Sequence, residues 1–441
     1  MQLLRCIALI CTIAAGARAQ NTASISGNVR DPSGAAVDGA QMTLTSVESG
    51  ATRKAATNRS GFYTFLQLPA DAYEIQAEKT GFKIAAQRGI VLAVGQDAAI
   101  NLNLQLGRIS EEVVVNEAAT PVGTEVAQTS GVVTGTQIRD LPLNGRSYDQ
   151  LLTLNPGIVS FTTQKNNATP GISNSAVANM FAAEGRRPQE NLFLVDGIEY
   201  TGAAEINMTP GGTSGELLGV DAIREFNVLT GTYGAEYGKR PGAQVLVVSR
   251  SGTNEFHGSA YEFLRNSSFD ARNFFDRGAV PGFQRNQFGG SAGGALSANR
   301  TFLFGDYEGL RQNLRLSNVT LVPDDNARLG ILPDGRHVAV DPVAARLLAL
   351  WPVQSPNSPF DSGGIAEAFS SPKQTIREDF GTARLDQILS ERDTLAGNYT
   401  VDDSADSTPT ANPLALDIES LREQVASLRE THIFSADLVN T

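Results

Sequence analysis

The sequence predicts a mainly β protein in three successive parts. These are a small N-terminal β-sandwich, a small α/β middle, and the first strands of an incomplete antiparallel transmembrane β-barrel. Three observations carry this. Short alternating apolar segments are punctuated by turn residues, in a chain with 43 glycines and 19 prolines. At 441 residues the chain is too long for one ordinary core, so two or three domains are expected. Beyond residue 254 the connections between candidate strands alternate long and short, the signature of a barrel with tight turns on one side of a membrane and long loops on the other.

Residues 1–19 stand apart. Arg5 precedes an apolar run from Cys6 to Ala15, and Ala17-Arg18-Ala19 offers a small-x-small cleavage site before Gln20. That is the layout of a secretory signal peptide, and the run is too short to span a bilayer as a helix. Cys11 follows Leu9 and Ile10, not the small residues that a lipoprotein site needs. Both cysteines lie in this segment, so the mature chain is expected to have neither disulfide nor thiolate chemistry. Losing Arg5 and Arg18 takes the formal charge from -12 to about -14, which argues against nucleic acid as a partner. No later stretch is apolar enough for a transmembrane helix, so membrane entry would have to be by β-barrel.

Residues 20–106 read as the sandwich. Ser24 to Val29 alternates and ends at Asp31-Pro32-Ser33-Gly34, where Pro presets φ and Gly accepts the turn. Met42 and Leu44 share a face, Thr57 to Gly61 marks a turn, and Phe62 to Leu68 and Tyr73 to Ala77 follow. The last strand places Ile100, Leu102, Leu104 and Leu106 on one face and Asn101, Asn103 and Gln105 on the other. In order, Gly-x-Val-x-Asp-Pro-x-Gly, Gly61-Phe62-Tyr63-Thr64-Phe65, Leu68-Pro69, Tyr73 and Thr80-Gly81-Phe82 resemble the carboxypeptidase regulatory-like domain. The resemblance implies a non-catalytic, transthyretin-like sandwich of the Ig-like type. A zinc peptidase needs about three converging ligands. His257, His337 and His432 are far apart in sequence and form no His-Glu-x-x-His arrangement, so each reads as a lone loop or barrel histidine. No metal, cofactor or catalytic residue is expected.

Residues 107–124 form a linker carrying Glu111-Glu112-Val113-Val114-Val115. By itself this is a β-prone connector. The next segment, 125–252, changes its meaning. Gln137 to Arg146 leads into a helix-period stretch, Tyr148 to Leu154, that ends at Asn155-Pro156-Gly157. Phe181 to Arg187 and Asn191 to Asp196 flank Pro188-Gln189-Glu190 and read as a hairpin. Val220 to Val228 and Gly242 to Gly252 resemble the helix-to-strand step and the closing strand of the plug domain of TonB-dependent receptors. Ala243 stands where many of these have a second glycine. A phosphate loop at Gly231 to Lys239 fails on spacing, because Tyr233 holds the first glycine position and Arg240 follows Lys239.

From residue 253 to 441 the candidate strands are 254–265, 285–296, 301–321, 376–389, 394–402 and 424–434. The gaps are long at 266–284, 322–375 and 403–423 and short at 297–300 and 390–393, with another short turn at 435–438. Phe288, Gly290, Ala292, Gly294 and Leu296 would face lipid opposite Arg285, Gln287 and Ser291, and Leu395, Gly397, Tyr399 and Val401 would do so opposite Thr394, Asn398, Thr400 and Asp402. A soluble sheet with one wet face remains an alternative. Six strands cannot close a plugged pore, so the barrel reads as truncated.

Taken in order, these motifs resemble TonB-dependent outer-membrane receptors of the Oar-like type. The resemblance implies an outer-membrane location in a Gram-negative bacterium and a TonB-type energising protein as partner. It also implies contact with outer-membrane lipid and capture of an external ligand for uptake without covalent chemistry. It makes Glu112, Val113, Val114 and Val115 a candidate TonB box, a short stretch that adds as a strand to the energising protein. Siderophore, cobalamin, glycan and peptide receptors share the plug, so the ligand stays open. The alternative is a surface adhesion or matrix-binding protein in which the sandwich is the working module.

Overall fold

The computed structural model describes residues 22–107, 112–115, 129–160, 180–200, 210–234, 237–272, 280–356, 358, 361–410, 415–435 and 438–441. The expected signal segment and its cleavage site lie outside these residues. No described helix is long and apolar enough to cross a membrane.

Two sheets make the sandwich. One places Ala23–Arg30 between Phe62–Leu68 and the short Asp97–Ala99, with Leu102–Asn103 also on Ala23–Arg30. The other runs Thr52–Ala56, Gln41–Ser46, Asp71–Glu78, Ile84–Leu92 and Glu112–Val115. Strict alternation in Asp71–Glu78 turns Tyr73, Ile75 and Ala77 inward. There they meet Ile25, Met42, Leu44 and Ile90, each such burial stabilising by roughly 1.5–3 kcal/mol. Tyr63 donates its buried hydroxyl to Ile100 O at 2.7 Å. Gly27 is needed where the chain crosses, because a Cβ there would sit 1.7 Å from Ile100 O.

The residues after Asp97 depart from the expected single strand. Ile100, Leu102 and Leu104 are buried as the alternation predicts, but the pairing is broken. Asn101 Oδ1 accepts from Asn28 N at 2.9 Å, replacing a main-chain bond. Leu106 is 70% exposed where the chain leaves the sandwich.

The middle domain is a mixed sheet ordered Thr129–Thr134, Ile223–Gly231, Gln244–Ser249, Leu192–Val195 and Ile198–Glu199. Thr134 caps the helix Gly135–Asp140 through a reciprocal pair with Gln137, and Ile138 anchors it to the core. Tyr148–Leu154 is helical as expected, in 3-10 form. The expected hairpin across Pro188 does not form. Phe181–Ala183 pairs with Ile158–Ser160, while Leu192–Val195 runs parallel to Gln244–Ser249. Asn191 explains the divergence: its amide donates to Phe181 O at 2.7 Å and its Oδ1 accepts from Ala243 N at 2.9 Å, stapling the two strand systems apart.

The last part is one antiparallel sheet in chain order: His257–Asn266, Phe283–Ser297, Thr301–Arg315, Lys373–Ile388, Asp393–Pro409, Leu416–Ser435 and Leu438–Asn440. From Phe283 to Ser435 its strands hold 15, 15, 16, 17 and 20 residues, more than the 9–11 or so that cross a bilayer when tilted. One face carries Phe304, Asp306, Glu308, Glu378, Thr400 and Asp402, all buried against the middle domain. The other exposes Leu303, Tyr307, Leu385, Tyr399 and Leu428. Gln287 and Ser291 lie on the buried face, opposite Phe288 and Ala292, as the alternation requires.

Two boundaries differ from expectation. The run 301–321 leaves the wall after Arg315, and Asn318–Pro323 pairs instead with Ile365–Ser370 in a small loop sheet. The long gap expected at 403–423 is mostly strand, since Asp393–Pro409 and Leu416–Ser435 pair along their whole length. Ser404 and Thr408 look like loop residues, but both are buried, and Ser404 faces the middle domain, where Thr213 N donates to it.

Candidate functional site

Two places where domains meet concentrate the buried polar chemistry. The first is the seam between the middle domain and the strand wall. At Leu143-Asn144-Gly145-Arg146 the chain turns sharply, with φ of 72° at Gly145 and 53° at Arg146. The Arg146 guanidinium bonds Asp221 Oδ2 at 2.8 Å and Glu308 Oε1 at 3.2 Å. It also lies over the Tyr261 ring, 3.9 Å from the centroid. Glu308 is fully buried and accepts from Gly219 N at 2.9 Å and from Gln287 Nε2 at 2.7 Å. Gln287 donates as well to Gly145 O at 2.9 Å. A planar cation stacked on a ring and shared by two carboxylates suits arginine and not lysine.

The seam continues along the wall. Ser214 N donates to Glu378 Oε2 at 3.1 Å and Thr213 N to Ser404 Oγ at 2.9 Å. Asp196 accepts from Ser249 N at 3.0 Å and from Asn398 Nδ2 at 2.8 Å, and Arg384 lies 3.5 Å from it while bonding Asp386. Leu218 and Ala222 pack on Phe304, Leu310 and Phe380. Gly219, at φ 88°, must be glycine, since a Cβ would meet the Phe380 ring at 2.4 Å. Charge-assisted bonds of this kind, closed off from water, hold a domain in place while leaving it separable by polar exchange.

The second place joins sandwich to middle domain. Arg224 forks onto Glu48 at 2.7 and 3.1 Å and reaches Asp71 at 3.5 Å. Val94 N donates to Glu225 Oε1 at 2.6 Å, and Asn227 Nδ2 donates to Val94 O at 3.0 Å. Ala70 and Val94 pack on Leu192, Leu194, Leu229 and Leu246. Burial pushes the Glu225 carboxyl above its ordinary range despite its bond from Val94 N and the nearby Arg224. Burial likewise raises Asp71.

The sequence-predicted residues Glu112, Val113, Val114 and Val115 do not join the seam. They form a strand paired in parallel with Ile84–Leu92, at the edge of the second sandwich sheet. None of the seam residues was predicted functional; Arg146 was read only as a piece of the plug pattern. Of the histidines, His257 stacks on Phe304 and His432 pairs with Asp393. Asp393, Glu430 and His432 have ligand atoms within 4.8 Å of one another, so they could share a metal ion, although the hydrogen bond between His432 and Asp393 accounts for the arrangement without one. Sequence distance hid this grouping, because strand register brings Asp393 opposite His432.

Comparison with known families matches each part in turn. Residues 24–105 match the carboxypeptidase regulatory-like domain, 123–243 the TonB-dependent receptor plug domain, and 248–441 an outer membrane beta barrel domain. The chain belongs to the TonB-dependent receptors. It resembles the TonB-dependent transporter Oar of Myxococcus xanthus, at 26% identity over 283 residues, 60% of this chain. It spans 24% of that relative's length. Similar solved structures include the outer membrane transporter YddB from Escherichia coli, with 14% identity and a TM-score of 0.47 over 69% of this chain and 37% of that one. Another is the ferric yersiniabactin uptake receptor FyuA from Yersinia pestis, with 12% identity and a TM-score of 0.39 over 69% of this chain and 46% of that one. In this receptor, then, the seam is a plug-to-barrel joint, and the sandwich sits where the short barrel turns are. Lys54 meets Glu391 in one short turn, and Gly50 lies against Asn299 in the other.

Proposed function

We propose that this receptor captures an external ligand at its long loops in the outer membrane of a Gram-negative bacterium and passes it inward when a TonB-type protein pulls on Glu112–Val115. The observation that carries the reading is the plug seam. Arg146, Asp221 and Glu308 lock the plug against the polar face of the wall through bonds that a displaced plug could exchange for water. No bond making or breaking is called for, so the protein acts as a transporter and not as an enzyme. Export by a cleaved signal ending at Ala19 belongs to the same reading. The seat of the sandwich beside the short turns, away from the long loops, speaks against the sandwich as an external adhesion module.

The test is accumulation by cells carrying the receptor. A panel of labelled ferric siderophores, cobalamin, oligosaccharides and peptides is offered to cells with the unmodified receptor or with Val114→Pro. The expected result is one ligand class that binds both but accumulates only with the unmodified receptor and an energised inner membrane. Equal accumulation by both would sink the reading.

A further inference from the structure

In the second sandwich sheet the order ends Asp71–Glu78, Ile84–Leu92, Glu112–Val115. Ile84, Ala85, Ala86 and Gln87 pair with Glu112, Val113, Val114 and Val115. The valine strand is therefore the outermost strand, with one edge bonded to the sandwich and the other edge unpaired among the described residues. Val113 and Val114 stand outside the sandwich core, and Val114 is 37% exposed. Main-chain pairing with Ile84–Leu92 sets the position of the strand. An open edge of this kind is a template for another strand.

We propose that the sandwich presents the box, with the free edge of Glu112–Val115 as the docking surface and an added β-strand from the energising partner as its occupant. This rests on the box reading above. A flexible peptide must be ordered when it adds to a sheet, and that cost falls on the affinity. Here the four residues are already extended and in register. The neighbouring carboxylates Glu111 and Glu112 suit a partner strand that carries Lys or Arg. The sandwich is in turn fixed to the plug through Arg224, Glu48 and Asp71. A strand added to this edge is thus coupled to the plug through a folded domain as well as through the linker.

The opposing mechanism is release, in which the box must leave the sandwich before the partner can take it. A disulfide separates the two. In the whole chain, with Cys6→Ala and Cys11→Ala, the paired positions Ala86→Cys and Val114→Cys lie on adjacent strands at a spacing that suits a disulfide. The probe is the soluble periplasmic domain of the host cell's TonB-type protein, added to the detergent-purified receptor. Presentation predicts that the oxidised form binds at least as tightly as the reduced form, and up to tenfold tighter. A tenfold or greater loss on oxidation, restored by reductant, overturns it in favour of release. Cysteines that both label but do not crosslink overturn the pairing itself. In the unmodified chain, the amides of 112–115 that face Ile84–Leu92 should exchange slowly before the probe is added, and the alternate amides at the free edge should slow only after it. Fast exchange of the inward-facing amides before the probe also overturns presentation. A crosslinked, protected strand in a receptor whose binding is unchanged by Val114→Pro places the fault in the box reading, and presentation falls with it.

Discussion

Arg146 shows how one residue can hold two domains together. Its guanidinium has carboxylates on two sides and an aromatic face beneath, and the Glu308 it satisfies is fully buried. Arg146→Ala strands that carboxylate, a change expected to cost about 3–5 kcal/mol of plug docking. Arg146→Lys keeps the charge but loses the fork and the stacking, and should cost less than alanine. Hydrogen exchange of plug amides against urea checks both: the plug should lose protection at lower urea in the order alanine, lysine, unmodified. Equal midpoints would show that the seam is held elsewhere.

Glu225 makes a different argument at the same scale. Its folded pKa is raised, first by burial, so the folded state binds its proton more tightly than the unfolded chain does. That contribution favours the folded state below the ordinary carboxylate range and turns unfavourable as pH rises through the raised value. Glu225→Gln retains an acceptor for Val94 N and removes the charge. The variant should melt at or above the unmodified temperature near neutral pH, and the difference should shrink towards zero as pH falls through the carboxylate range. A variant that melts lower at neutral pH would show that the ionised form is worth its burial.

At the scale of elements, the legible strands were those whose neighbours were water on one side and core on the other. Ala23–Arg30 and Asp71–Glu78 alternate cleanly because one face is wet. Ile84–Leu92 was missed because Gly89, at φ 75°, inserts a bulge that breaks the period of two. Thr52–Ala56 offers a single buried residue. The far half of Leu416–Ser435 was read as loop because it is mostly exposed on both faces, so it shows no buried face to alternate against. That of Asp393–Pro409 was read as loop because its buried residues, such as Ser404 and Thr408, are polar, which composition reads as solvent. The seam was illegible for the same reason: a buried Glu308 and an exposed glutamate are the same letter. Glu112–Val115 was legible as a β-prone stretch, but its partner strand was not, since Ile84–Leu92 itself had escaped. Strand addition depends on backbone donors, so Val114→Pro, which removes an N–H and fixes φ, should abolish energised accumulation while surface binding stays nearly unchanged. Val114→Ala keeps the main-chain bonds and should reduce accumulation only partly. If the two variants behave alike, side-chain recognition and not strand pairing governs the contact.

For the whole molecule the question is how three domains act as one. The sandwich and the plug each have a core of their own, and the described residues join them through a small apolar patch, the bonds of Glu225 and Asn227 to Val94, and the Arg224 fork at the rim. The fork is partly exposed, at 25% for Arg224 and 39% for Glu48, so solvent screens it and about 1 kcal/mol is the most it should contribute. Such a joint is firm enough to fix orientation and weak enough to open without unfolding either side. Arg224→Ala should therefore leave the sandwich's own melting transition where it is, because no residue of the sandwich core touches the change. It should instead let the two domains part more often, so that protease cleavage between residues 107 and 128 speeds up by about fivefold, the factor that 1 kcal/mol corresponds to when reclosing outpaces cleavage. If the sandwich melts earlier in the variant, its fold depends on the plug, and the three parts form a single cooperative unit rather than a chain of jointed ones.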